Sequence, residues 1–161
     1  MDAQQIRHAM QVLPEIDCAF EVRRRIDFIK QQLVRSGLKT LVLGISGGVD
    51  STACGRLAQL AIDELNQKER VYQFIAVRLP YSTQKDEDDA QTALAFIDAS
   101  KNITVNIEAG TQGLHKQVLL GLDQADISIS DVEKVDFSKG NVKARARMIA
   151  QYHVAGIVGA L

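Results

Sequence analysis

The chain has 161 residues, of which 46% are hydrophobic and 24% are charged, and its formal net charge is −1. This length and composition are typical of one globular domain with a substantial buried core. The near-zero net charge argues against partners held by a strong positive field, such as nucleic acid or an anionic membrane, and no apolar stretch is long enough to span a bilayer.

Predicted helices and strands alternate along the chain. Apolar residues at helical spacing over residues 22–33 predict a helix that ends near Gly37. A strand is predicted over residues 40–45, and a helix follows it, with an apolar face that runs from Cys54 to Leu65. Later elements are a buried strand at 72–77, a helix at 86–97, an alternating strand at 103–107, helices around 114–121 and 142–155, and the beginning of a strand at 156–161.

This alternation predicts an α/β fold. Parallel strands joined by right-handed helical crossovers give a doubly wound, Rossmann-like parallel sheet with helices on both faces. We expect residues 1–161 to form a single domain of this kind. Ligands of open parallel sheets bind at the carboxyl ends of the strands, so the segments after the first two strands are the candidate site.

The segment after the first strand has the features of a phosphate-binding loop. Glycines let the backbone turn sharply and approach an anion, and a helix N-terminus presents unpaired N–H groups to it. Two serines add hydroxyl donors. The loop consists of Gly44, Ile45, Ser46, Gly47, Gly48, Val49, Asp50 and Ser51.

Asp50 points to a metal ion in this loop. A carboxylate beside bound phosphates would repel them unless a divalent cation lay between, and Mg²⁺ prefers a carboxylate together with phosphate oxygens. The sequence has no Walker A lysine motif, so the loop belongs to another class of phosphate loop.

Three blocks of the sequence resemble a known family. S-G-G-x-D-S after a strand resembles the signature of the PP-loop ATP pyrophosphatases, which have an adenine nucleotide α-hydrolase-like fold and release pyrophosphate from ATP while activating a substrate. With F-I-A-V-R-L-P-Y at 74–81 and G-N-V-K-A-R-A-R-M at 140–148, followed by Gln151 and Tyr152, the chain resembles ammonia-dependent NAD synthetases from about residue 22 to its end.

The resemblance implies an activity and a set of site residues. It implies amidation of deamido-NAD to NAD by ammonia, through an acyl-adenylate, with release of AMP and pyrophosphate. Ser46, Asp50 and Ser51 would be catalytic, the whole loop with Arg78 and Gln84 would bind ATP, and Asp50 would bind Mg²⁺. Arg145 would contact deamido-NAD near the interface of a homodimer.

Two departures from the family pattern are visible. Family subunits are considerably longer, so we expect the chain to be truncated at its C-terminal end and to form NAD poorly or not at all by itself. Gln32 stands where the family often has a tyrosine near the substrate. We expect no glutaminase-like domain before the loop, which favours free ammonia as the nitrogen source.

Other interpretations remain open at this stage. G-I-S-G-G also fits the nucleophile elbow of α/β-hydrolases, with His115 or His153 as the base, although Asp50 and Ser51 then have no role. A glycine turn without a ligand is a second possibility. The chain could also be another PP-loop enzyme, GMP synthetase-like or tRNA-modifying, or a non-catalytic nucleotide-binding or dimerisation module.

The cysteines and the N-terminus indicate the cellular compartment. Cys18 and Cys54 are far apart and lack the spacing of metal ligands, so reduced thiols are expected. No secretory signal is recognisable at the N-terminus. Together these features predict a cytoplasmic protein.

Overall fold

A parallel three-stranded sheet lies at the centre of the structure, a computed structural model that describes residues 2–12, 15–67, 70–82 and 87–161. The elements of this part of the chain are α1 (Ala3–Ala9), α2 (Cys18–Ser36), β1 (Thr40–Ile45), α3 (Val49–Leu65), β2 (Gln73–Arg78), α4 (Glu87–Ile97), β3 (Lys101–Thr104), α5 (Glu108–Gln124) and α6 (Val132–Val158).

The strand order is β1-β2-β3, and both pairs are parallel. The register of the first pair aligns Thr40 with Gln73 and Ile45 with Arg78, so both strands end at the same edge of the sheet. The segments that follow β1 and β2 are therefore neighbours, as the sequence predicts.

The chain returns to the outer edge of β1 after α6. Ala160 pairs with Thr40, the Leu161 N–H donates to the Thr40 carbonyl at 2.9 Å, and the Val42 N–H donates to the Leu161 carbonyl at 2.9 Å. The end of the chain thus pairs with β1 through a single parallel bridge, where the sequence predicts the beginning of a strand. The pairing begins later than predicted, because α6 continues to Val158 and ends at Gly159, whose φ is +64°.

This return makes β1 the point at which the strand order reverses. The crossovers through α3 and α4 step outward from β1 to β3, whereas the crossover through α5 and α6 leads back to the opposite side of β1. The crevice beyond the carboxyl end of such a strand is the usual ligand site in doubly wound sheets. The loop after β1 opens into this crevice.

Helices cover both faces of the sheet, which confirms the predicted fold class. On one face α2, α3 and α4 pack against β1 and β2 around Leu33, Ile62, Phe74 and Ile97, each with a side chain fully removed from solvent. On the other face Ile75, Val77 and Ile107 pack with Ala146 and Ala150 of α6.

Some predicted boundaries are wrong. The third strand was expected at 103–107 but ends at Thr104; the N–H groups of Val105 and Ile107 still donate to the Arg78 and Pro80 carbonyls, at 2.8 and 2.9 Å. Cys54 is exposed rather than part of the buried face of α3. That face contains Gly55, Ala58, Ala61 and Ile62, because α3 packs against both the sheet and α4.

The long helices α5 and α6 extend well beyond their predicted limits. Apolar periodicity is weak there, since α5 buries only Thr111 and α6 buries no residue fully. No helix in the described ranges combines the length and the apolar character needed to cross a membrane.

Candidate functional site

Serine hydroxyls hold the loop between β1 and α3 in shape. The Ser46 and Ser51 hydroxyl oxygens lie 3.0 Å apart, and Ser51 donates to the Gly48 carbonyl at 3.1 Å. The N–H groups of Ser46 and Gly48 donate to the Ser51 and Ser46 hydroxyls, both at 3.3 Å. Both predicted serines therefore lie at the start of α3, next to the phosphate-binding position that the sequence predicts.

Gly47 is required by geometry. Its φ is +90°, a conformation that side chains disfavour, and a Cβ there would lie 3.2 Å from the backbone nitrogen of Ala90 in α4. The next residue, Gly48, is the N-cap of α3 and provides no side-chain cap. The first-turn N–H groups of α3 thus remain available to an anion, at the positive end of the helix dipole.

Asp50 lies in the first turn of α3 and is exposed. Its carboxylate makes no hydrogen bond or ion pair with any described residue, and no group of three or more His, Cys, Asp or Glu side chains in the described ranges could hold a metal. A cation at Asp50 would take most of its ligands from phosphate oxygens and water. That ligand set suits Mg²⁺, so the residues present fit the predicted metal.

Arg78 is the last residue of β2 and is only 4% exposed, so it is not an ordinary surface arginine. Its Nη1 donates to the Ile45 carbonyl at 3.0 Å, and its Nη2 lies 3.1 Å from the Glu87 carboxylate. Hydrogen bonds from Gln91 and then from Arg78 hold the pKa of Glu87 below its ordinary value. Gln84, the other predicted ATP residue of this segment, lies outside the described residues.

A cavity of about 270 Å³ joins the loop to Arg78 and to α6. The sequence patterns do not single out the two α6 residues that line it, Arg147 and Gln151, although both belong to the 140–152 block. Arg147 Nε donates to the Leu79 carbonyl at 3.1 Å. The Gln151 side chain accepts the Gly44 N–H at 2.7 Å and donates to the Arg147 carbonyl at 3.2 Å.

Arg145 lies in a different place from the loop. It is exposed on α6, donates to Asn141 Oδ1 at 3.0 Å, and lines a larger cavity of about 780 Å³ with Leu114 and His153, between α6, α5 and the end of β3. The structure therefore groups the loop residues with Arg78 and leaves Arg145 in a neighbouring cavity on the same helix.

The hydrolase interpretation finds no support in this geometry. A nucleophilic serine needs a base within hydrogen-bond reach, whereas the described partners of the Ser46 hydroxyl are Ser51 and the Gly48 N–H. His153 lines the larger cavity and His115 lines a third one between α5 and α6, so neither histidine lies in the cavity beside Ser46.

Comparisons with known proteins point to one family. The NH(3)-dependent NAD(+) synthetase of Vibrio vulnificus (strain CMCP6) is 59% identical over 160 residues, an alignment that covers 98% of this chain and 58% of that protein. The protein of the same name from Vibrio cholerae (strain O395) is 60% identical over 158 residues. The crystal structure of NAD+ synthetase from Burkholderia pseudomallei matches with a TM-score of 0.85 and 40% identity, covering 97% of this chain and 65% of that one.

The chain thus spans somewhat more than half the length of the curated relatives that it matches. Residues 21–161 match the NAD synthase family, a range that contains the loop, Arg78 and the whole of α6. Since this match covers most of the chain and agrees with the fold, the chain belongs to the NAD synthase family.

Proposed function

We propose that this chain is the ATP-binding part of an ammonia-dependent NAD synthetase. The observation that carries the proposal is the arrangement at the carboxyl ends of β1 and β2, where a glycine loop with an uncapped helix N-terminus meets the buried Arg78. Backbone N–H groups and a fixed guanidinium are complementary to the phosphates of a nucleotide. Membership of the NAD synthase family supports ATP as that nucleotide.

The proposed reaction has two steps. In the first, a carboxylate oxygen of deamido-NAD attacks the α-phosphorus of ATP, and the bond between the α-phosphorus and the bridging oxygen breaks as pyrophosphate leaves. In the second, ammonia attacks the acyl carbon of the adenylate, loses a proton, and displaces AMP to give the amide of NAD. The names of the relatives support ammonia as the nitrogen donor.

The loop would act by electrostatic stabilisation and not as a nucleophile. First-turn N–H groups of α3 and the hydroxyls of Ser46 and Ser51 would face the charge that grows on the leaving pyrophosphate. Arg78, and Gln84 by the family resemblance, would hold the nucleotide. Mg²⁺ bound to Asp50 would neutralise phosphate charge when present.

The second substrate and the oligomeric state belong to the same proposal. Arg145 would bind deamido-NAD in the larger cavity, where an exposed guanidinium suits a phosphate-rich dinucleotide. We expect a homodimer with α6 at the interface, because Phe137 and Tyr152 are 77% and 76% exposed. Free, exposed cysteines at positions 18 and 54 support a cytoplasmic location.

Pyrophosphate release from ATP and Mg²⁺, measured with and without deamido-NAD, tests the proposal. Two proteins are compared: the 161-residue chain, and the same chain extended with the remaining segment of the Vibrio vulnificus relative. We expect release that requires deamido-NAD in the extended protein. Release without any effect of deamido-NAD would assign the loop to another PP-loop substrate instead.

The Asp50→Ala variant tests the metal. We expect Mg²⁺-dependent ATP binding, measured by calorimetry, to weaken by about tenfold or more, because the carboxylate that links the cation to the loop is lost. Asp123→Ala is the matched control, since Asp123 is an exposed carboxylate on α5, away from the loop. Equal ATP affinity in both variants would exclude Asp50 as the ligand.

A further inference from the structure

The environment of Arg147 differs from that of the other arginine beside the loop. Arg147 is half-buried on α6, and its Nε donates to the Leu79 carbonyl at 3.1 Å. Arg78 lies near the Glu87 carboxylate, but Arg147 forms no ion pair with a carboxylate in the described part of the chain. A half-buried guanidinium without an anion is costly, since desolvation is not offset by an opposite charge.

Both guanidinium groups line the cavity of about 270 Å³ and are fixed to the ends of neighbouring strands. Arg78 is bonded to the carbonyl of Ile45, at the end of β1, and Arg147 to the carbonyl of Leu79, directly after β2. No carboxylate is among the described residues that line this cavity, and the remaining lining includes Gly44 and Ser46 of the loop. Two arginines thus line one space, and an anion bound there would pair with Arg147, the one that has no carboxylate partner among the described residues.

Gln151 fixes the position of this part of α6. Its side chain bridges the Gly44 N–H of β1 and the Arg147 carbonyl, at 2.7 and 3.2 Å. The close approach depends on the glycine, because a Cβ on Gly44 would lie 2.8 Å from the Gln151 amide. Arg147 is therefore fixed beside both strands that border the site, directly at Leu79 after β2 and through Gln151 at Gly44 of β1.

We propose that Arg147 is a further anion-binding residue of the nucleotide site and that it binds a phosphate group lying between the loop and Arg78. Gln151 is a positioning residue for this contact. The inference rests on the proposed function, since it identifies another side chain of the same ATP site. A bidentate arginine–phosphate contact gives geometric specificity that a lysine would not reproduce.

Calorimetric titration of the 161-residue chain with magnesium pyrophosphate and with MgATP tests the inference. For Arg147→Ala we expect about tenfold weaker binding of both ligands, the usual effect of losing one charge-assisted contact. For Arg147→Lys we expect a smaller loss, about threefold, because the point charge is kept without the fork geometry. Arg35→Ala removes the same charge at the end of α2, near the amino end of β1, and should change the affinity by less than about twofold.

Thermal unfolding of each variant separates binding from folding. If Arg147→Ala does not fold, a loss of pyrophosphate affinity in Arg147→Lys supports the inference instead. Unchanged pyrophosphate and MgATP affinity in a folded Arg147 variant would overturn this inference while leaving the proposed function intact. A wild-type chain that binds neither ligand would overturn both.

Discussion

At the scale of single residues, two loop glycines are required for different reasons. Gly47 needs its positive φ and lies against the backbone of α4, so both conformation and space exclude a side chain. Gly44 lies in β1, and what a Cβ would meet there is the flexible end of Gln151. The requirement for glycine at position 44 therefore depends on another side chain, and removing that side chain should relax it.

The coupling of Gly44 to Gln151 predicts non-additive substitutions. Gly44→Ala should lower the free energy of unfolding by about 1 kcal/mol, because it displaces Gln151 from the Gly44 N–H. In a Gln151→Ala background the same substitution should be neutral or should stabilise by about 0.5 kcal/mol, since alanine is favoured over glycine in a strand. Urea unfolding of the four proteins measures this difference. Equal effects of Gly44→Ala in both backgrounds would show that the two residues are not coupled.

At the scale of helices, a cluster of charges joins α2 to α3. Arg23 contacts both Asp27 on its own helix and Glu64 on α3, and Lys30 Nζ lies 2.8 Å from the same Glu64 carboxylate. The hydrogen bonds from Arg23 and Lys30 lower the pKa of Glu64 from its ordinary 4.5 to about 2. Glu64 is the shared acceptor and the only described residue of α3 in this cluster.

The lowered pKa of Glu64 predicts a pH dependence of stability. The unfolded chain binds a proton at Glu64 near pH 4.5, whereas the folded chain does so only near pH 2, so the contribution of this group is complete above pH 4.5 and is lost as the pH falls toward 2. In Glu64→Gln the free energy of unfolding should fall less steeply with acidification over that range. Urea unfolding at a series of pH values from 6 to 3 measures the slope.

A matched substitution shows whether this slope belongs to the cluster. Asp136 is an exposed carboxylate on α6 that makes no side-chain hydrogen bond or ion pair with described residues, so Asp136→Asn should keep the wild-type slope. At pH 7 we expect Glu64→Gln to lose at most about 1 kcal/mol, because partly exposed ion pairs contribute little. Parallel slopes for wild type and Glu64→Gln would contradict the prediction.

At the scale of the whole molecule, the sequence predicts those features of the fold that depend on a short, local pattern of residues. The bounds of β1, the glycine loop and the burial of the strand ending at Arg78 all follow from short apolar runs and turn residues. Arg147 and Gln151 could not be assigned to the loop, because they are far from it in the sequence. Only the crossover through α5 and α6 brings them beside it. The limits of α6 were missed for a related reason: a helix with few buried residues has little periodicity.

The surface of α6 leads to a prediction about assembly. Phe137, Met148 and Tyr152 are exposed and, at 3.6 residues per turn, lie within about 60° of one another around the helix axis. Exposed apolar side chains on one side of a helix are typical of an interface, so in the proposed homodimer they would pack against a second copy. We expect sedimentation equilibrium to give twice the chain mass of 17.7 kDa.

Substitutions on this side of α6 test whether it forms that interface. Tyr152→Ser should shift the mass toward that of one chain, because a large aromatic side chain is removed from the proposed contact. Phe96→Ser, which changes a 60% exposed residue of α4 on the other face of the sheet, should leave the dimer intact. A monomeric wild-type protein would show that α6 is not a self-association surface. A dimer that survives Tyr152→Ser and dissociates in Phe96→Ser would assign the interface to α4 instead.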